Sequence, residues 1–336
     1  MNDVISRPNP LRAVRMREEL NTRLLASLDH LVQETAQYNI VDMPSFSEWR
    51  NSIERKEPGP MSYGAYYDLI SSIERGRKRS ARFLFKEVCN TEPPEASVKI
   101  CWLGRDYSPR QTRRVRRFMG GEGTGASGVR KPKPRLARKF ESTLREALAW
   151  IDRRAPELSA EIEATISQII LVGPDRSGKG SFEGGTCFRL AGALVLNAER
   201  DASIADLVIT IAHEAGHAVL FGECSDEMLV ENPDTELHWS PIRNARRPLE
   251  GIFHAAFVSC RMLWVIERME ADSGFSLQEQ IDMETACADA MQIFQECLEI
   301  LEKNARFTAT GSRIFGQLQN QASEHGVLSP PQSLVS

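Results

Sequence analysis

Residues 207–220 read LVITIAHEAGHAVL, and this stretch carries the strongest chemical signal in the sequence. His213 and His217 are four apart, with Glu214 beside the first. In a helix that spacing stacks two imidazoles on one face, one turn apart, where both can grip a single metal ion. Glu214 then projects to the side, near any water or substrate the ion holds. This is the H-E-x-x-H arrangement of metal-dependent enzymes. Ile204, Leu207, Val208, Ile211, Ala215, Ala218 and Val219 form an apolar stripe roughly opposite the histidines. The predicted helix starts after Asp201 or Ser203 as cap and ends at Gly222.

Two histidines do not close a metal site, so a third ligand must come from another element. Of the six histidines, His254 stands out, in RPLEGIFHAAF with Glu250 one turn before it. Pro248 suits a first helical position, and the helix then runs on through Val258, Met262 and Val265. Glu250 and His254 are therefore alternative third ligands. His238 falls in a loop-like stretch beside Trp239 and Pro241, and His30 and His325 read as surface or capping residues.

The elements that must position these groups fit a protein of 336 residues, 41% apolar and 26% charged, as in ordinary globular proteins. A net charge of −4 gives no bulk attraction to nucleic acid or membrane. No apolar run reads as a transmembrane span, the N-terminus has no signal-like apolar core, and seven scattered cysteines include no CxxC pair. These features predict a cytoplasmic protein with reduced thiols. The fold class expected is α+β and mostly helical. A helical accessory region over 1–135 precedes a metal-binding domain with a small β-sheet over 136–323 and a disordered tail at 324–336.

Helices are predicted over 8–37, from Ser45 or Ser47, over 62–88, 138–153, 248–271, 277–303 and 308–319. Strands are predicted at 97–103, 166–172 and 188–196. Residues 109–139 hold eleven Lys or Arg against the single acid Glu122, around GGEGTGASG. The composition predicts a mobile connector, or else an acceptor for an acidic peptide or polyanion. Sparse aromatics argue against nucleic acid. GPDRSGKGS at 173–181 mimics a phosphate-binding loop, but Gly180 stands where Ser or Thr is needed. The reading for 173–185 is a Gly-rich hairpin connection.

With SPIRNARRPLEGIFH at 240–254 added, the pattern resembles the HExxH-motif peptide-modification proteins. The matching residues are Gly192, His213, Glu214, His217, Ser240, Pro241, Arg243, Arg247, Pro248, Gly251 and His254. The resemblance spans about 166–323, departs where Ile242 stands in place of an expected aromatic, and says little about 1–135. It implies a zincin-like fold and an Fe(II)/2-oxoglutarate-dependent oxygenase that hydroxylates a β-carbon of a peptide residue. It further implies His213, His217 and His254 as iron ligands and Arg247 or Arg243 as holder of the oxoglutarate carboxylate. Arginine's planar fork suits a carboxylate, and Arg247, seven residues before His254, would lie two helical turns away on the same face.

Two chemistries follow. The first is hydroxylation at a C–H bond of a peptide residue, as in a precursor peptide, or of an amino acid, with Glu214 orienting water or substrate. The second is a zinc metallopeptidase with Glu250 as third ligand and Glu214 as general base.

Overall fold

The computed structural model describes residues 4–35, 46–47, 50–51, 57–89, 97–120, 128–175, 182–243 and 245–327. The protein is α+β and mostly helical. Its contacts divide it into two interleaved units: residues 11–142 with 162–201, and residues 1–10, 143–161 and 202–336. A boundary at 135/136 would fall inside a helix, Pro134–Arg154. The strands nearest the histidine motif in sequence group with the N-terminal residues.

In the unit formed by 11–142 and 162–201, the helices are α1 (Pro10–Thr35), α2 (Pro60–Glu74), α3 (Lys78–Cys89) and α4 (Pro109–Met119). The expected single helix over 62–88 is broken between α2 and α3, where Gly76 takes φ +65°, a conformation that favours glycine. The helices α5 (Pro134–Arg154) and α6 (Pro156–Thr165) are each divided between the two units, after residue 142 and after residue 161. A five-stranded sheet has β1 (Lys99–Trp102), β3 (Gln168–Pro174) and β5 (Ala193–Asn197) parallel, with β4 (Gly184–Thr186) antiparallel on β5. A short β2 (Val129–Arg130) pairs with the end of β3. The run ALVLN of β5 is buried throughout, as expected of a strand covered on both faces.

Three sequence expectations are corrected in this unit. The residues at 109–119 are not a connector but α4. Ser108 accepts from the backbone N–H of Gln111 while the Gln111 side chain accepts from the Ser108 N–H, a capping box that starts the helix. Val115, Phe118 and Met119 anchor its buried side. The segment 173–185 does not join a hairpin, because β3 and β4 each pair with β5 rather than with each other. The expected strand over 188–196 begins at Ala193, after a 3₁₀ turn at Phe188–Leu190 and Gly192 at φ +88°. Residues 121–127 and 176–181, with the centre of the Gly-rich stretch and most of the loop-like GPDRSGKGS, lie outside the described residues. So does 328–336, most of the expected disordered tail.

The other unit is built around helices. These are α7 (Ile204–Glu223), α8 (Leu249–Glu270), α9 (Leu277–Asn304) and α10 (Ala309–Glu324), with a two-stranded ribbon of β6 (Leu237–Ser240) and β7 (Ala245–Pro248). Helix α8 packs against α7, α9 and α10, and buries residues on every side. Both α7 and α8 are long and apolar enough to cross a membrane by length and composition, contrary to the sequence expectation. They are mostly buried inside the protein, which accounts for their apolar character without a membrane. One ion pair sits wholly in this core: Arg261 of α8 donates to Glu161, which also accepts from the Asn9 backbone N–H.

Candidate metal centre

Helix α7 begins where Ser203 accepts from the Asp206 N–H, and it continues one residue past Gly222. His213 and His217 fall one turn apart, as the spacing requires, with ring centroids 5.0 Å apart. Gly216 lies between them and allows α8 to approach closely. A Cβ there would meet Arg261 Cδ at 2.8 Å and Val258 Cγ1 at 3.2 Å. That approach sets the second helix of the site beside the first.

His254 of α8 stacks on His217, with ring centroids 5.4 Å apart, and their Nδ1 atoms are 3.2 Å apart. Between neutral rings, one of these nitrogens donates its N–H and the other accepts. His213 Nδ1 lies 3.3 Å from Met262 Sδ. A hydrogen bond from Nδ1–H to that thioether leaves Nε2 as the ring nitrogen with a lone pair. Phe221, four residues after His217, has its ring 5.2 Å from that of His254 and closes the apolar side.

Burial pushes all three imidazoles down. His213 and His254 are lowered to about 4, and His217 falls well below its ordinary value. The charge of Arg243 lowers His213 further, and His217 feels His213, His254 and Arg243 in turn. The rings are therefore neutral at pH 7, the form in which imidazole binds metals. Two nitrogens bound at about 2.0–2.1 Å to one ion lie roughly 3.0–3.4 Å apart, so the His217–His254 spacing suits a shared ion. Among the described residues, however, no three His, Cys, Asp or Glu side chains converge into a ready-made cage. The donor set fits a metal chemically; the third imidazole, His213, is adjacent to the pair rather than locked onto a common point.

Glu250, the alternative third ligand, is directed elsewhere. Its carboxylate accepts from the Leu229 backbone N–H at 3.2 Å, and burial raises its pKa. Glu214 is buried in α7. Arg247 does not lie on the helix of His254, because α8 starts at Leu249 and Arg247 sits in β7 opposite His238. Pro248 is the cap residue, with ψ 150°, rather than the first helical residue. Arg243 occupies the exposed turn of the ribbon, where its N–H donates to Ser240 O, and its charge reaches His213 and His217. His238 pairs with Glu236.

Met262 and Phe221 are site neighbours that the histidine motif does not announce. Each nonetheless carries a helical signal: Phe221 is one turn beyond His217, and Met262 two turns beyond His254. No protein-family model matches this sequence, and no curated protein is significantly similar to it.

Proposed function

We propose that the protein is an Fe(II)/2-oxoglutarate-dependent oxygenase that hydroxylates the β-carbon of a residue in a peptide, or of an amino-acid substrate. The observation that supports this reading is a cluster of three neutral imidazoles from two helices, with the charge of the exposed Arg243 reaching two of them, His213 and His217. A cation beside a neutral ligand set suits a small dianionic cosubstrate, whose distal carboxylate it would hold in a bidentate pair. The resemblance to HExxH-motif peptide-modification proteins points the same way, with a zincin-like fold as its architectural counterpart.

In this reading His213, His217 and His254 would hold the iron. Iron held there, together with oxoglutarate and oxygen, would supply the oxidising chemistry that hydroxylation of a substrate C–H bond needs. The protein's own residues do the rest. The three rings stay unprotonated through burial, so they remain ligands at neutral pH. Met262 holds His213 in one tautomer, the supporting role usual for a ligand's second nitrogen. Phe221 excludes water from the face of His254. Glu214, inside the motif helix, orients substrate or water beside the ion.

A zinc metallopeptidase with a His2Glu site is the competing reading. It requires Glu250, which is turned onto the Leu229 N–H. Anaerobic loading with Fe(II), followed by oxoglutarate, separates the two. The oxygenase gives a weak visible charge-transfer band and releases CO2 with oxygen. Tight zinc, no such band and cleavage of peptides would overturn it.

A further inference from the structure

The ion pair buried beneath the histidines has a place that its energetics do not explain. Arg261 of α8 donates Nη2–H to Glu161 of α6, and the two side chains are 1% and 0% exposed. Glu161 is held in turn, because its other oxygen accepts from the Asn9 backbone N–H at 2.9 Å. Arg261 is seven residues after His254, two helical turns, so both project from nearly the same face of α8. Its stem runs past Gly216, between the two motif histidines, where a Cβ would come within 2.8 Å of Cδ. The next residue, Met262, meets His213 Nδ1. The pair therefore lies against the stretch of α7 that carries both motif histidines.

Stability alone gives no reason for this pair. Taking two ions out of water is costly, and their attraction offsets that cost only when the remaining donors are also satisfied. Here Arg261 Nε and Nη1 are buried with no hydrogen-bond partner among the described residues. Two apolar side chains of similar volume would fill the space without that cost. What they would lack is direction. Helix α8 is buried on every side, with Ile252, Phe253, Phe257 and Val265 among its core residues. Apolar burial is non-directional, so it selects weakly among rotations and registers of such a helix. One ion pair at a fixed point selects among them, as single buried polar groups do in coiled coils.

We propose that Arg261 and Glu161 are positioning residues of the candidate metal centre. Their ion pair fixes the rotation and register of α8, and so brings His254 to His217 and Met262 to His213. Neither residue touches the ion; each acts through the helix. The inference rests on the reading of the three histidines as metal ligands and adds what holds them in place.

The test is Arg261→Met/Glu161→Leu in the full-length protein. The first change keeps a stem of similar bulk beside Gly216 and the second fills the place of the carboxylate, so the charge pairing is what is lost. The melting temperature should stay near that of the wild type or rise. Cobalt(II) affinity, titrated by visible absorption, should fall about 10–100-fold, the range for partners that orient metal ligands. Arg261→Lys keeps a charge opposite Glu161 and should lose only a few-fold. A second readout needs no metal. The ring N–H shared by His217 and His254 should give a slowly exchanging proton resonance in the metal-free wild type, absent in His254→Ala and lost in the double variant. A wild type with this resonance but no cobalt binding would sink the metal reading alone, and loss of the resonance in the double variant would still support the positioning role. A wild type with neither would overturn both. The positioning role is also overturned by a double variant that keeps the resonance and the cobalt affinity, or melts far below the wild type, or loses no more affinity than Arg261→Lys.

Discussion

His217 and His254, from different helices and 37 residues apart in sequence, bring their Nδ1 atoms to 3.2 Å. Glu250 shares a helix with His254 one turn earlier, yet it turns to the Leu229 backbone N–H. This contrast separates the two possible third ligands by function. His254→Ala should abolish tight binding of Fe(II), Co(II) or Zn(II), measured by metal content after dialysis. Glu250→Ala should keep the metal and instead lower stability by about 1–3 kcal/mol, because a backbone donor loses its acceptor. Metal retained by His254→Ala and lost by Glu250→Ala would reverse the assignment.

Arg243 and Arg247 can be distinguished in the same way. Arg243 lies in the ribbon turn and its charge reaches two of the imidazoles, whereas Arg247 is held in β7 across from His238. Arg243→Ala should weaken oxoglutarate by about 10–100-fold, the range for removing one partner of a charge-assisted pair. Bound metal should stay unchanged, and Arg243→Lys should recover only part of the loss. Titration of the iron-loaded, oxygen-free protein with oxoglutarate reads this directly. An equal loss in Arg247→Ala with none in Arg243→Ala would move the role to the strand.

The motif helix and its partner are legible in sequence because both carry long apolar patterns at helical spacing. Their pairing is legible only as a need for a third ligand. Arg247 is misplaced by sequence because Pro248 is as acceptable in a cap as at the first helical position, and one residue's shift moves the arginine from helix to strand. The ribbon itself is hidden: LHWS and ARRP hold no β-branched residue between them. Helix α4 is hidden by its charge. Five arginines outweigh the three apolar residues Val115, Phe118 and Met119, and the local clues to it are the Ser108–Gln111 cap and Pro109 at the first helical position.

The neutral imidazoles give the fold a specific acid sensitivity. His213 and His254 titrate at about 4 when folded, against 6.5 when exposed. Between those values the unfolded state binds protons that the folded state refuses, so stability rises with pH. It should be level above about pH 6.5 and fall progressively as pH drops toward 4. Urea midpoints at pH 7.5, 6.5 and 5.5 test the upper part of this window, before most carboxylates titrate. A midpoint unchanged from pH 7.5 to 5.5 would mean that the rings are not buried in their neutral form.

Gly216 links the packing of the core to the geometry of the site. A methyl group there would meet Arg261 Cδ at 2.8 Å and Val258 Cγ1 at 3.2 Å. Arg261 is fully buried and held by Glu161, so its stem has little freedom to give way. Gly216→Ala adds helix propensity worth about 1 kcal/mol, and in an exposed helix it would stabilise. Here overpacking of about 1–3 kcal/mol opposes that gain and should equal or exceed it. The readily available relief is to move α7 away from α8, which carries His217 away from His254. Metal affinity should therefore fall even if the melting temperature changes little. Val258→Ala in the Gly216→Ala background removes one of the two obstructing groups and should restore part of the affinity. Full metal affinity in Gly216→Ala alone would show that the spacing of the two histidines does not depend on this contact.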